Sequence, residues 1–151
     1  MEINSENRRH IVLIGGGFAG LNFASHLFNN EYYDVTLVDK NNYNYFTPLL
    51  YQVATGFLEP SAISYPFRKL FKNKKIAFRM AMVLRIDTDE NVLYLSDGGE
   101  LTYDLLVFAA GSKTNFFGNE VIQQNAFYIK TIDDALCMVN GLMETLEKAS
   151  V

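Results

Sequence analysis

The sequence predicts an α/β fold in which a parallel β-sheet carries an antiparallel β-meander between two of its strands. The apolar, β-branched run from His10 to Ile14 is followed by a glycine-rich turn and by a segment with helical spacing of apolar residues. A second apolar strand, Val35 to Val38, begins about twenty residues beyond these glycines. A third strand, Ile76 to Met80, precedes short strands joined by turn residues. Strands that alternate with a helix indicate parallel pairing, whereas short strands with tight turns indicate the meander.

The turn after the first strand has the glycine spacing of a Rossmann-like dinucleotide-binding motif. Gly15 allows a sharp turn, Gly17 admits a pyrophosphate close to the main chain, and Gly20 lets the helix pack closely on the sheet. The helix begins at Phe18 and Ala19, so its N-terminus is directed at the same place. Because helix N-termini bind anions through N–H groups and the helix dipole, we expect the pyrophosphate there.

The second strand ends in Asp39, which is the acidic position of the same motif. Its carboxylate can accept hydrogen bonds from ribose hydroxyls and would repel a 2′-phosphate, so NADP is not the expected ligand. A dinucleotide-binding site is predicted by the combination of the first strand, the glycine turn, the helix, the second strand and its final acidic residue.

Composition limits the remaining classes of function. The chain has 151 residues, 49% of them hydrophobic, which is enough for one folded domain. A net charge of -4 gives no reason to expect nucleic-acid binding. The single cysteine, Cys137, excludes a disulfide within the chain, and we expect it to be a small buried hydrophobic side chain. We expect His10 and His26 to be structural, since neither has a second metal-ligand residue at a suitable spacing.

Further elements follow from periodicity and turn residues. The first helix should place an apolar face on the sheet, and a capping-box start at Thr131 should open a late amphipathic helix. We expect the strand Ile76 to Met80 to be buried and Asp97-Gly98-Gly99 to form a hairpin turn. The predicted apolar face of the first helix comprises Phe18, Leu21, Ala24, Leu27 and Phe28. That of the late helix comprises Leu136, Val139, Leu142, Met143 and Leu146. The other predicted elements are a short helix within 48–56, another within 65–71, a strand from Met82, and strands at Val92 to Leu95 and Glu100 to Tyr103. No segment has the roughly twenty consecutive apolar residues needed to cross a bilayer, and we expect the chain itself to be soluble.

Three stretches resemble one family of flavoproteins. GGGFAGLNFA, VTLVDKNNY and YFTPLLYQVATG look like the N-terminal FAD-binding part of type II NADH:quinone dehydrogenases, which are single-subunit and non-proton-pumping. That family belongs to the two-dinucleotide-domain flavoprotein superfamily. A fourth stretch, LTYDLLVFAAGS, resembles the superfamily strand that ends in small residues close to the flavin. Paired with the glycine motif, it favours FAD over NAD as the bound ligand.

The resemblance implies roles for particular residues. Asp39 and Lys40 would bind the cofactor, Thr47 and Pro48 would lie near the flavin ring, and the backbone around Met82 and Val83 would meet the adenine. It also implies close approach to the flavin at Ala109, Ala110 and Gly111, and a position toward the quinone for Tyr51 and Gln52. No residue is assigned as a general acid or base.

The resemblance covers about residues 10 to 148 and implies a modular protein. We expect a polar tail at 1–9, an incomplete FAD-binding domain at 10–130, and a helix at 131–151 leading toward an NADH-binding domain. In the complete enzyme, NADH would reduce FAD and the flavin would reduce a membrane quinone. Such an enzyme would be cytoplasmic and peripheral on the inner face of the cell membrane. The chain on its own should self-associate through exposed apolar surface or an open sheet edge.

Two other functions stay open at this point. One is another FAD-dependent pyridine-nucleotide oxidoreductase with a different electron acceptor, and the other is a non-catalytic nucleotide-binding module. Disulfide reductases of the superfamily carry a redox cysteine pair after the second strand, and no cysteine lies between Asp39 and Gly56. Sulfide:quinone reductases are also similar, but they need several cysteines, and this chain has one.

Overall fold

A computed structural model describes residues 8–150, which form nine strands and six α-helices. In chain order these are β1 (Arg9–Ile14), α1 (Phe18–His26), β2 (Tyr33–Asp39), β3 (Tyr43–Tyr45), α2 (Leu50–Ala54), α3 (Pro60–Ile63), β4 (Ser64–Pro66), α4 (Phe67–Leu70), β5 (Ile76–Met80), β6 (Val83–Asp87), β7 (Val92–Leu95), β8 (Glu100–Thr102), β9 (Leu105–Phe108), α5 (Glu120–Asn125) and α6 (Ile132–Ala149). A 3₁₀ turn at Thr47–Leu49 precedes α2. Most of the predicted polar tail, residues 1–7, lies outside the described residues.

The described residues fall into two compact units. The sheet unit comprises residues 8–44 and 65–111, and the helical unit comprises residues 45–64 and 112–150. The short strands β3 and β4 each span a boundary between the units along the chain.

The sheet unit is built on a four-stranded parallel sheet in the order β5-β2-β1-β9. Leu13 of β1 lies opposite Leu37 of β2 on one side and Val107 of β9 on the other. The chain returns from β1 to β2 through α1, and from β5 to β9 through the meander. The predicted α/β fold with a parallel sheet and a meander crossover is therefore confirmed.

Alternation along β1 creates two apolar layers, one on each face of the sheet. Ile11 and Leu13 belong to a buried cluster with Phe67 and Phe71. Val12 and Ile14 belong to a second cluster with residues of the meander, Leu93 and Leu95. Because both faces are covered, β1 reads as a nearly continuous apolar run rather than an alternating one.

Helix α1 packs on the first of these faces. Ala24 is buried, and Leu21, Leu27 and Phe28 pack against the cluster, although the helix itself ends at His26. The prediction that Phe18 also packs on the sheet is wrong, because this side chain is 52% exposed at the first turn.

The meander consists of β6, β7 and β8, paired antiparallel, with the predicted turn Asp97-Gly98-Gly99 between β7 and β8. Gly98 has a φ of 79°, a left-handed conformation that favours glycine. The expectation that the third strand is buried is wrong for most of its length. Within β5 only Ile76 is buried, because β5 is an edge of the sheet.

His10 has a structural position, as expected. Its Nδ1 lies 2.7 Å from the carbonyl oxygen of Thr102, which can only accept, so Nδ1 carries the hydrogen. Its Nε2 lies 2.8 Å from Oγ1 of Thr36. The imidazole thus connects β1 to β2 and to the end of β8.

In the helical unit, α2 packs against α6. The predicted capping box at the start of α6 is confirmed: the N–H of Asp134 donates to Thr131 Oγ1 at 3.2 Å, and the N–H of Thr131 donates to Asp134 Oδ2 at 2.8 Å. These two bonds satisfy N–H groups that have no partner within the helix.

The apolar positions of α6 remain largely exposed. Leu142 is 44% exposed and Leu146 is 55% exposed, whereas Ile132 and Ala135 are buried. The expectation that Cys137 is buried is wrong, because it lies on an exposed part of α6. Within residues 8–150, no helix combines the length and the hydrophobicity required to cross a membrane.

Replacing Thr131 by alanine should destabilise α6 by about 1 kcal/mol, the usual cost of losing a helix N-cap. Thermal unfolding followed by circular dichroism measures this loss. Thr145→Ala is the matched control, because Thr145 lies within α6 and its Oγ1 bonds only to the carbonyl of Gly141. Alanine is a better helix former than threonine, so this control should be neutral or stabilising. Equal losses in both variants would contradict the capping role.

Candidate functional site

The glycine turn lies at the carboxyl end of β1, where backbone groups approach each other closely. The N–H of Gly15 donates to the carbonyl of Val38 at 2.9 Å, and Gly15 has a φ of 97°. A Cβ on Gly15 would overlap the carbonyl oxygen of Ala109, and a Cβ on Gly20 would overlap the carbonyl oxygen of Gly15. Two of the three motif glycines are thus required by contacts within the protein itself.

Gly17 differs from these two glycines. A Cβ built on Gly17 would meet no described atom within 4 Å, and its φ of -73° is accessible to any residue. Gly17 is the N-cap of α1, no described side chain caps the helix there, and the first turn carries no acidic residue. The open space at this helix N-terminus is suited to an anion bound against the main chain.

Asp39 ends β2 beside the glycine turn. Its Oδ2 accepts from the N–H of Gly16 at 2.7 Å, and its Oδ1 accepts from the N–H of Asn41 at 2.8 Å. A carboxylate has about four acceptor positions, so Asp39 keeps capacity for ribose hydroxyls while it fixes the turn. Lys40 follows it and is exposed.

Sequence reasoning missed two residues that shape this turn. The side-chain amide of Asn44 donates to the carbonyl of Gly16 at 2.7 Å. A Cβ on Gly16 would overlap the ring of Phe67, so Gly16 must be small for packing rather than for a ligand. Asn44 lies in β3 and follows two other asparagines, Asn41 and Asn42, and no local pattern distinguishes it from them.

The neighbouring strands complete the same edge of the sheet. Met80 ends β5 opposite Asp39, and the N–H of Ala81 donates to the carbonyl of Asp39 at 2.9 Å. Beyond β9, the N–H of Ala109 donates to the carbonyl of Ile14 at 2.8 Å. Ligands of open α/β sheets bind outside the carboxyl ends of the strands where the strand order reverses, which here is at β1.

The sheet unit therefore contains most of the residues predicted for the cofactor. Those at the carboxyl ends of its strands or in the segments that follow them are Gly15, Gly17, Phe18, Ala19, Gly20, Asp39, Lys40, Met82, Ala109, Ala110 and Gly111. Val83 follows Met82 directly and begins β6. Gly111 has a φ of 74°, and a Cβ there would also meet no described atom within 4 Å.

The other predicted residues belong to the helical unit. Thr47 and Pro48 lie exposed in the 3₁₀ turn before α2. Tyr51 is 57% exposed on α2, and its hydroxyl oxygen accepts from Nε2 of Gln52 at 3.0 Å. No group of three or more metal-ligating side chains occurs in the part of the chain that the structure describes.

The fold and the glycine turn together define a dinucleotide-binding domain of the Rossmann type. The family model for the pyridine nucleotide-disulphide oxidoreductases matches residues 9–151. The chain therefore belongs to the pyridine nucleotide-disulphide oxidoreductase family.

Similar proteins include oxidoreductases named for NADH or NAD(P)H and a quinone. The type II NADH:quinone oxidoreductase NdhA of Mycobacterium tuberculosis is 37% identical over 148 residues, which are 95% of this chain and 31% of that protein. An external alternative NAD(P)H-ubiquinone oxidoreductase of Arabidopsis thaliana mitochondria is 31% identical and matches 98% of this chain and 27% of its own length.

Solved structures agree with these sequence relatives. NDH2 from Plasmodium falciparum, in complex with NADH, superposes with a TM-score of 0.82 at 28% identity, over 95% of this chain and 30% of that one. The sulfide:quinone oxidoreductase of Aquifex aeolicus gives a TM-score of 0.83 at 33% identity, over 92% of this chain and 32% of that one. The chain spans less than a third of the length of each of these proteins.

Proposed function

We propose that this chain is the FAD-binding part of an NADH:quinone oxidoreductase. The observation that carries the proposal is the open space over Gly17 at the N-terminus of α1, with the Asp39 carboxylate beside the same turn. The named relatives that reduce quinones with NADH support this choice of reaction. The small residues after β9, which end in Gly111, support FAD as the dinucleotide.

Each part of the cofactor has proposed partners in the chain. The N–H groups at Gly17 to Gly20 bind the pyrophosphate, and Asp39 binds the adenosine ribose, with Lys40 beside it. The segment at Met82 and Val83 receives the adenine. Ala109 to Gly111 allow the flavin half to pass close to the main chain, while Thr47 and Pro48 lie near the ring. Tyr51 and Gln52 lie toward the quinone.

The chain supplies binding and orientation rather than acid–base chemistry. When bound, FAD supplies the acceptor for a hydride from NADH and the donor of two electrons to a quinone. Because quinones dissolve in the bilayer, we place the complete enzyme on the cytoplasmic face of the cell membrane as a peripheral protein. No side chain of this chain is proposed as a proton donor or acceptor.

An absorbance spectrum of the purified chain, followed by titration with FAD, tests cofactor binding. We expect flavin bands at near-equal molarity, or saturable binding of added FAD, with weaker binding of NAD. A folded chain that binds no FAD after titration would contradict the proposal.

For the complete protein, NADH oxidation should depend on a quinone acceptor. Electron transfer only to a protein acceptor would favour another oxidoreductase of the family.

Self-association is a further expectation for the isolated chain. Among the described residues, β9 pairs only with β1, so its other edge is open, and Leu105 on it is 43% exposed. Open edges with apolar side chains associate with other strands. Sedimentation should show concentration-dependent oligomers that Leu105→Lys reduces. Tyr32→Lys adds the same charge outside any strand and should leave the oligomers unchanged. A chain that stays monomeric at high concentration would contradict this expectation.

A further inference from the structure

The turn between β7 and β8 is bound to the end of β5 by a dense set of hydrogen bonds. The N–H of Met82 donates to Oγ of Ser96 at 2.9 Å, and the N–H of Ser96 donates back to the carbonyl of Met82 at 2.9 Å. The main-chain N–H and the carbonyl of Met82 are therefore both bonded to Ser96, a single residue of the turn.

A second connection lies next to this one. Nε of Arg79 donates to Oδ2 of Asp97 at 2.8 Å, and Nη2 of Arg79 lies 2.6 Å from the same oxygen. The other carboxylate oxygen, Oδ1, accepts from the N–H of Gly99 at 3.0 Å. A Cβ on Gly99 would lie 2.5 Å from Nη2 of Arg79, so the glycine makes room for the guanidinium.

The carboxylate is held in its ionised form. The hydrogen bond from the Gly99 N–H and the neighbouring Arg79 guanidinium keep the pKa of Asp97 below its ordinary value. The carboxylate of Asp97 therefore stays ionised, and paired with Arg79, at more acid pH than an aspartate without these partners. Both side chains are partly exposed, at 45% for Arg79 and 37% for Asp97.

The segment that these residues hold lies at the proposed adenosine subsite. Met80 is in register with Asp39, and the N–H of Ala81 donates to the carbonyl of Asp39. Residues 79–82 are thus attached to the ribose-binding strand on one side and to the meander turn on the other. A shift of the turn would move the segment relative to Asp39.

We propose that Ser96 and Asp97 are positioning residues for the adenine end of the flavin dinucleotide, because they fix the main chain of Met82 and the side chain of Arg79 in the segment 79–82 that is bonded to Asp39. This inference rests on the proposed function, since it requires FAD in the sheet unit. The N–H of Met82 has one hydrogen and donates it to Ser96. The main-chain donor for an adenine nitrogen must then come from a neighbouring peptide, whose place Ser96 and Asp97 determine.

The chain offers a matched control at the opposite end of the meander. Asp87 also forms an ion pair, with Arg85 at 3.5 Å, and its Oδ1 also accepts from turn N–H groups, those of Asp89 and Glu90. Asp87 ends β6, before the turn to β7, whereas Asp97 lies in the turn between β7 and β8. Asp87→Asn, like Asp97→Asn, removes the negative charge and with it the ion pair, but at the end of β6 rather than in the turn that binds Arg79 of β5.

The test compares FAD and ADP binding with stability for Asp97→Asn, Ser96→Ala and Asp87→Asn. We expect Asp97→Asn and Ser96→Ala each to raise the Kd of both nucleotides about 2- to 12-fold, the usual effect of one lost hydrogen bond. Asp87→Asn should shift the midpoint of urea unfolding about as much as Asp97→Asn does, and should leave the Kd values of FAD and ADP unchanged. Ser96→Thr retains the hydroxyl and should restore binding.

Three results would count against the inference. Equal Kd values for Asp97→Asn and Asp87→Asn, or for Ser96→Ala and Ser96→Thr, would overturn it while the proposed function stands. If Asp97→Asn does not fold, the pair of serine variants decides the question. Absence of FAD binding by the unaltered, folded chain would overturn the proposed function and this inference together.

Discussion

Replacing Gly17 by alanine should weaken FAD binding about 5- to 140-fold, the range that corresponds to roughly 1–3 kcal/mol of overpacking. The added methyl group meets no described protein atom, so it occupies the space that the pyrophosphate is proposed to fill. Alanine is a poorer N-cap than glycine, but it lowers the entropy of the unfolded chain, so net stability should change by less than about 1 kcal/mol. Fluorescence titration with FAD and urea unfolding measure the two quantities.

Two further variants of α1 separate binding from folding. Ser25→Ala changes a side chain at the far end of the helix, where Oγ bonds to the carbonyl of Asn22, and should alter neither quantity by much. Gly20→Ala places a methyl group on the carbonyl oxygen of Gly15 and should destabilise the fold itself. Normal FAD affinity in a folded Gly17→Ala variant would show that the pyrophosphate does not bind over Gly17.

Replacing Phe67 by alanine should cost about 3–5 kcal/mol, the usual loss for a buried aromatic residue. Phe67 is fully buried at the start of α4, with its ring centroid 5.0 Å from that of Phe78 and 6.0 Å from that of Phe71. It also lies against Gly16, directly beneath the glycine turn. Because domains are stable by only about 5–15 kcal/mol, this loss should also impair FAD binding.

Urea unfolding of Phe67→Ala measures the loss, with Phe57→Ala as the matched control. Phe57 is 81% exposed, so the same substitution there should change the free energy of unfolding by no more than about 0.5 kcal/mol. Similar free energies for the two variants would show that Phe67 does not support the core beneath the turn.

Local patterns were sufficient to predict the elements on which the site is built. The glycine turn, β5, β7 and the start of α6 at Thr131 each depend on residues close together in sequence, such as a β-branched run or a capping box. The observed bounds of β5 and β7 agree with the predicted ones.

Features that depend on distant residues could not be predicted in this way. Phe67 was one aromatic residue in a short predicted helix, and its contact with Gly16 joins positions far apart in the chain. The exposure of Cys137 depends on which side of α6 is covered, and the edge position of β5 depends on the strand order. Short elements such as α3 and α5 lack the length that makes a period recognisable.

The most direct test of the central claim is an NMR titration of the isotope-labelled chain with FAD. If the dinucleotide binds at the carboxyl edge of the sheet, the largest amide shifts should occur at Gly16, Gly17 and the first turn of α1, with further shifts next to Asp39. An absence of shifts, or shifts confined to residues remote from the glycine turn, would contradict the account.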